Sequence, residues 1–195
     1  MNAHRKVVVL PVLLPSGHLP PGRHPATLPE IDQHFVAAFP RSSTRTEIWE
    51  GFLSYLTTWD AAEQGAGAEI LRGVWIGGSF TSDTLNPSDI DVSPIYDKAA
   101  LDALSGKMGS GRVKELITHR ARVVNAYKVE PFALPWLSIA STLLPDRLPP
   151  AQRDALAARG GLDAWWGRTR PSGPRAAPLA PSTLADRGYL EVILR

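Results

Sequence analysis

Apolar positions along the chain recur at two different spacings, which predicts a mixture of helices and strands. Residues 44–63 carry bulky apolar side chains at helical spacing, and Thr44 and Glu47 at their start have the form of a capping box. Residues 89–96 alternate polar and apolar side chains, as a half-buried strand does. Apolar spacing and the flanking turn residues also predict strands over residues 6–14, 70–76, 123–131 and 188–194. They predict helices over residues 29–39, 97–104, 112–119, 135–144 and 150–166. These elements indicate an α+β fold with four or five strands.

Glycine and proline mark the predicted loops. The chain has 16 Gly and 18 Pro among 195 residues, and their clusters predict loops over residues 15–29, 105–111 and 170–182. Gly160 and Gly161 are expected to break the last helix. With no internal repeat and no long linker, the chain is predicted to be one domain over residues 1–195. Its parts are an N-terminal strand and Pro-rich loop (1–42), a catalytic core (44–145) and a C-terminal helix, loop and strand (146–195).

Composition narrows the possible chemistry. Cysteine is absent, which excludes disulfides, cysteine-ligated metal sites and a catalytic thiol. The net charge of +2 is too small to indicate wholesale wrapping of nucleic acid. The apolar run over residues 7–14 is interrupted by Pro11 and is too short for a bilayer, so we expect no membrane association and a cytoplasmic location.

The strand predicted over residues 89–96 carries a pair of carboxylates. Asp89 and Asp91 are two positions apart, so their side chains point to the same face of the strand, while Ile90 and Val92 point into the core. Two adjacent carboxylates repel each other unless a cation lies between them. Mg²⁺ usually binds one or two carboxylates together with substrate phosphates. The pair therefore indicates a metal–nucleotide site.

A glycine-rich turn precedes this strand. Gly77, Gly78 and Ser79 follow the strand predicted over residues 70–76, and glycine lets the backbone approach a ligand closely. The backbone N–H groups of this turn and the Ser79 hydroxyl are suited to holding phosphate oxygens. A phosphate-binding turn beside a carboxylate pair is the arrangement that metal-assisted phosphoryl-type transfer requires.

The sequence Gly78-Ser79, nine residues, then Asp89-Ile90-Asp91-Val92 resembles the signature of the DNA polymerase β-like nucleotidyltransferases. Segments 19–28 and 187–192 extend the likeness to a bacterial family of uncharacterised nucleotidyltransferase-like proteins. The resemblance implies a mixed sheet with helices packed on one face, and transfer of NMP from an NTP such as ATP. It also implies that Asp89 and Asp91 hold Mg²⁺ or Mn²⁺ together with a third carboxylate from a later strand. Glu130 is the best match, although most relatives are expected to carry Asp there.

Basic residues are the remaining requirement of such a site. Residues 107–128 have a net charge of +5, against −4 over residues 83–102. Lys128, predicted to share a strand face with Glu130, and Arg112 are candidates to neutralise the triphosphate. A solvated helix face explains the same charges equally well. By analogy with small relatives in toxin–antitoxin and phage-defence pairs, the acceptor is expected to be an RNA, such as a tRNA 3′ end, or a partner protein.

Two other functions fit the same sequence. The domain could be a nucleotide-sensing or antitoxin-like module that keeps the Gly-Ser turn and the aspartates without turnover. Alternatively, residues 107–128 could bind RNA directly, in which case binding would depend steeply on salt and not on magnesium.

Overall fold

A mixed β-sheet organises the part of the chain that the structure, a computed structural model, describes, namely residues 10–107, 109–139, 144–169 and 184–194. The strands in these ranges are β1 (Gly22–Pro25), β2 (Leu71–Gly77), β3 (Ile90–Asp97), β4 (Val129–Pro131), β5 (Leu134–Trp136) and β6 (Gly188–Ile193). Strand β2 lies between β6 and β3 and is antiparallel to both. Strand β1 is parallel to β6, and β4 and β5 are both parallel to β3. The fold is α+β, as predicted.

The helices differ in length and in what ends them. They are α1 (Leu28–Asp32), α2 (Arg45–Ala66), α3 (Lys98–Ala103), α4 (Ser110–Thr118), α5 (Arg120–Tyr127) and α6 (Pro150–Trp166), with a π-helical segment, Gln33–Ala37, after α1. Helix α2 is the longest, and Gly67 ends it in the left-handed conformation that favours glycine. No helix in the described ranges has the length and apolar character needed to cross a membrane.

Side chains on the two faces of the sheet enter two different apolar clusters. Val74, Ile76, Ile90 and Val92 point toward α2, α4 and α5 and are buried in the larger cluster. On the other face Trp75 and Tyr189 pack with side chains of α6, including Trp166. Helices therefore cover both faces, and the prediction that they pack on one face is wrong. The amphipathic character of α6 accounts for the difference, because its apolar side must be buried somewhere.

The first strand is not where the sequence predicted it. Residues 10–14 form no strand, and residues 6–9 lie outside the described ranges. Pro11 lacks the N–H that a sheet ladder requires, and Leu10 is instead buried in the core from an irregular segment. The strand on this side of the sheet, β1, lies within the predicted loop and pairs with β6.

The strand predicted over residues 123–131 is mostly helix α5. Val123 and Tyr127 are one helical turn apart, and both pack into the core cluster beside α2, which overrides the strand preference of the valines. Lys128 ends α5 with a φ of 56°, so only residues 129–131 pair with β3. Conversely, the helix predicted over residues 135–144 begins as strand β5, and residues 140–143 lie outside the described ranges.

Two local predictions at helix ends and interiors are also wrong. The Thr44 hydroxyl donates to the carbonyl oxygen of Pro87 at 2.8 Å and does not cap α2. The capping box present in the structure joins Thr27 and Glu30 at the start of α1. Helix α6 continues through Gly160 and Gly161, because a glycine weakens a helix by only about 1 kcal/mol and packing compensates for it.

Candidate functional site

A cavity of about 560 Å³ opens at the C-terminal end of β2 and the N-terminal end of β3, on the sheet face that carries α6. It brings together five of the predicted site residues: Gly78, Ser79, Asp89, Asp91 and Glu130. The remaining lining residues are His18, Ser82, Thr84, Ser88, Arg120, Trp165, Trp166, Arg168, Thr169 and Arg187. The volume is in the range of small-molecule sites, and its walls combine carboxylates with guanidinium groups.

A second cavity of about 490 Å³ lies farther along the same sheet face. Its walls are mainly apolar, with Trp75, Leu134 and Trp136 among them, and Glu191 is its only acidic lining residue in the described ranges. The first cavity is therefore the candidate for phosphate and metal chemistry.

The two glycines of the turn allow close packing at the cavity floor. Gly77 pairs with Asp91 across β2 and β3, and a Cβ at Gly77 would come within 2.7 Å of the Trp166 ring. Gly78 has a φ of 72°, and a Cβ there would overlap the Asp91 carboxylate. Larger side chains would thus displace the wall of the cavity or the carboxylate itself, which explains the glycines at this turn.

Arg45 anchors the segment that follows the turn, although no sequence pattern singled it out. Its guanidinium is buried and donates to the carbonyl oxygens of Phe80, Ser82 and Thr84 at 2.6–2.8 Å, and to that of Phe35 at 2.7 Å. Burial lowers the pKa of Arg45 to about 10, so it remains charged at neutral pH. A cation on α2 thereby fixes the connection that presents Ser79.

The two aspartates lie where strand alternation predicts. Asp91 is in β3 on the α6 face, next to Ser93, whose hydroxyl accepts a hydrogen bond of 2.9 Å from the Trp166 indole. Burial, a hydrogen bond with Glu130 and the charge of Asp89 raise the pKa of Asp91 to about 7. Burial and the charge of Glu130 also raise the pKa of Asp89. The site therefore brings together carboxyl groups whose ionisation is energetically costly.

Glu130 is opposite Asp91 in the parallel pairing of β3 and β4. Its carboxylate forms an ion pair with Arg120, the first residue of α5. The third predicted carboxylate is thus beside the aspartates and engaged with a cation at the same time.

Three predicted nucleotide-binding residues do not line the cavity: Gly77, whose backbone pairs with Asp91, and the cations Arg112 and Lys128. Arg112 forms an ion pair with Glu115 on α4, and 57% of its side chain is exposed. Lys128 is the left-handed residue that ends α5, and its ammonium lies 3.9 Å from Glu47 of α2. The shared strand face predicted for Lys128 and Glu130 is wrong, because Lys128 belongs to the helix end and not to β4.

The family of the chain follows from a comparison with protein-family models. The model of a family of unknown function, DUF6932, matches residues 11–192. The chain belongs to the DUF6932 family. No curated protein and no solved structure matched it. The match spans β1 to β6 and therefore includes every residue that lines the candidate cavity.

This DUF6932 chain carries cations in the cavity that the sequence analysis missed. Arg187 donates to the carbonyl oxygen of Gly78 at 3.2 Å and lowers the pKa of Asp91. Arg120 and Arg168 also line the cavity. His18 is a further lining residue, and its burial together with the charge of Arg187 lowers its pKa. Arg187 lies more than 90 residues from Asp91 in the sequence, so only the pairing of β6 with β2 brings them together.

The donor set of the DUF6932 cavity fits a hard cation in part. No three His, Asp or Glu side chains in the described ranges are arranged as a metal site. Asp89 and Asp91 nevertheless offer two oxygen ligands whose raised pKa values a cation would lower again. Mg²⁺ commonly takes two carboxylates and completes its shell with water and phosphate. Two aspartates fit that mode, with Glu130 adjacent.

Proposed function

We propose that this DUF6932 chain is a metal-dependent nucleotidyltransferase with a nucleotidyltransferase-type fold. The observation that carries the proposal is the cavity in which the Gly78–Ser79 turn meets Asp89, Asp91 and Glu130. The substrate would be an NTP, and the acceptor a hydroxyl group on an RNA or on a protein, including a toxin or antitoxin partner. A bound Mg²⁺ or Mn²⁺ would neutralise charge on the triphosphate and on the leaving group.

In this proposal the residues of the turn hold the triphosphate. The backbone N–H groups of residues 78–80 and the Ser79 hydroxyl bind phosphate oxygens, while Arg187, which hydrogen bonds to Gly78, and Arg168 supply positive charge. Asp89 and Asp91 bind the metal, with Glu130 as the candidate third ligand. Trp165, at the rim, offers a ring face for the base.

The proposed reaction is an in-line displacement. The acceptor hydroxyl oxygen forms a bond to the α-phosphorus, and the bond from that phosphorus to the bridging oxygen breaks. Pyrophosphate leaves with the electron pair of that bond. The hydroxyl proton passes to a carboxylate of the cavity, for which Glu130 and Asp91 are the candidates.

A specific observation favours a second candidate, a nucleotide-sensing module without turnover. Glu130 is engaged by Arg120, and the described residues offer no three-carboxylate metal site. A domain in which Arg120 keeps Glu130 engaged would bind a metal–triphosphate complex through Asp89 and Asp91 without catalysing transfer. Direct RNA binding by residues 107–128 is less favoured, because Arg112 and Arg122 both pair with Glu115.

The test is transfer of label from α-³²P-labelled NTPs in the presence of Mg²⁺ or Mn²⁺, with total RNA and protein extract as acceptors. We expect the wild type and an Asp154→Ala control, altered at an exposed position of α6, to label an acceptor. The Asp89→Ala/Asp91→Ala variant should transfer none. Absence of transfer with metal-dependent NTP binding intact would select the sensing module, and absence of both would overturn both candidates.

A further inference from the structure

One ion pair in the cavity joins a cation, Arg120, to a candidate metal ligand, Glu130. The Arg120 guanidinium pairs with the Glu130 carboxylate and lies over the Phe132 ring, 4.6 Å from its centroid. Arg120 is half exposed, at 52% of its side chain, while Glu130 is more buried, at 26%. The pair therefore sits at the mouth of the cavity, with the carboxylate on the inner side.

Glu130 serves two partners in this arrangement. Besides the pair with Arg120, it hydrogen bonds with Asp91, its neighbour across the β3–β4 pairing. A carboxylate oxygen that accepts from a guanidinium has less capacity to bind a cation, because the positive guanidinium repels that cation. This accounts for three carboxylates that are adjacent and yet form no metal site together.

We propose that Arg120 is a positioning residue that withholds Glu130 from the metal until a triphosphate arrives. The phosphate oxygens then accept hydrogen bonds from the guanidinium, which binds phosphate as readily as carboxylate. Glu130 is thereby released and completes the metal site. The inference rests on the proposed function and deepens it, because it makes assembly of the site depend on the substrate.

The other basic side chains nearby differ from Arg120 in their partners. Arg187 donates to the backbone carbonyl oxygen of Gly78 and its charge acts on Asp91, whereas Arg168 donates to the backbone carbonyl oxygen of Ala164. Arg122, two residues after Arg120 on α5, pairs with Glu115 and is absent from the cavity lining. Arg122 is therefore a matched control for removing one arginine from the same helix.

The experiment compares two affinities in the wild type, Arg120→Ala and Arg122→Ala. Binding of Mn²⁺ alone is measured by electron paramagnetic resonance, and binding of a non-hydrolysable ATP analogue with Mn²⁺ by calorimetry. We expect Arg120→Ala to bind Mn²⁺ alone about fivefold more tightly and the Mn²⁺–analogue complex about tenfold more weakly. Arg122→Ala should match the wild type in both measurements.

A double variant assigns the gain in Mn²⁺ affinity to Glu130. In Arg120→Ala/Glu130→Gln that gain should disappear, because the amide cannot act as an anionic ligand. If Arg120→Ala leaves the Mn²⁺ affinity unchanged or lowers it while the analogue still binds, the role of Arg120 is overturned and the proposed function stands. If the wild type binds Mn²⁺ but does not bind the ATP analogue, both the proposed function and the substrate-dependent role of Arg120 are overturned.

Discussion

Arg45, which is buried, and Asp91, which is half-buried, contact the same connection between β2 and β3, and their surroundings are opposite. Arg45 is surrounded by carbonyl oxygens that accept its hydrogen bonds, and it stacks 3.9 Å from the Phe39 ring. Asp91 faces other carboxylates, and its pKa is raised to about 7.

The two residues differ in whether their surroundings stabilise the charged form of the side chain. Polar groups that are buried for stability form hydrogen bonds, as the two terminal nitrogens of Arg45 do with four carbonyl oxygens. A half-buried acid whose pKa is raised by a neighbouring acid costs stability in the absence of a ligand, and such costs concentrate at functional sites. Arg45 holds the turn in place, whereas under the proposed function a cation and a phosphate group would complete the cluster around Asp91.

The largest expected effect is the loss of the buried cation. Arg45→Met keeps the apolar stem and removes the donors to four carbonyl oxygens, so we expect the free energy of unfolding to fall by about 3–5 kcal/mol. Urea denaturation measures it. Arg41→Met, four residues earlier and exposed, should change stability by less than about 0.5 kcal/mol. A loss below about 1 kcal/mol in Arg45→Met would show that this cation does not anchor the turn.

A smaller effect is expected where the turn meets the carboxylate. Gly78→Ala combines a left-handed backbone with an overlap of the new Cβ and Asp91, so we expect a loss of about 2–3 kcal/mol. Gly160→Ala, in an open helical position with nothing within 4 Å of a Cβ, should stabilise by up to about 1 kcal/mol. Thermal unfolding of both variants measures the two effects, and a neutral Gly78→Ala would contradict the close packing at Asp91.

The third effect has the opposite sign, because Asp91 destabilises the metal-free protein. Its pKa is higher in the folded state than in the unfolded state, so stability falls as the pH rises toward about 7. Between pH 5.5 and pH 8 the wild type should lose about 2 kcal/mol from this group.

The Asp91→Asn variant removes that pH dependence. In the presence of EDTA at pH 8 it should be more stable than the wild type by at least about 2 kcal/mol, as measured by urea denaturation, because the loss begins below pH 5.5. Asp154→Asn, at an exposed site on α6, should retain the wild-type pH dependence. An Asp91→Asn variant that is less stable than the wild type at pH 8 would mean that the Asp91 carboxylate stabilises the fold, as the Arg45 guanidinium does.

The sequence predicted the elements whose apolar pattern and packing agree. Helix α2, strands β2, β3 and β6 and the shared face of Asp89 and Asp91 were predictable, because alternation or helical spacing there matches burial. Local preference failed where packing against distant elements decides the structure. The valines of α5 favoured a strand, yet the packing of Val123 and Tyr127 beside α2 makes this segment a helix.

The site was predictable only where it is local in sequence. The turn and the aspartates lie within 15 residues of each other, and Glu130 followed from the resemblance. Arg187 and Arg120 reach the cavity through the pairing of β6 with β2 and the position of α5, which depend on long-range contacts. No sequence pattern predicts the burial of Arg45, because a single arginine in an amphipathic helix is expected to lie at the surface.

The central claim is that the carboxylate cavity binds a metal-bound triphosphate. The most direct test is calorimetric titration of a non-hydrolysable ATP analogue into the wild type and into Asp89→Asn/Asp91→Asn, each with Mn²⁺ and with EDTA. We predict binding to the wild type that requires Mn²⁺, and a loss of at least about tenfold in the double variant. Binding that is equal in EDTA, or unchanged in the double variant, would contradict the account.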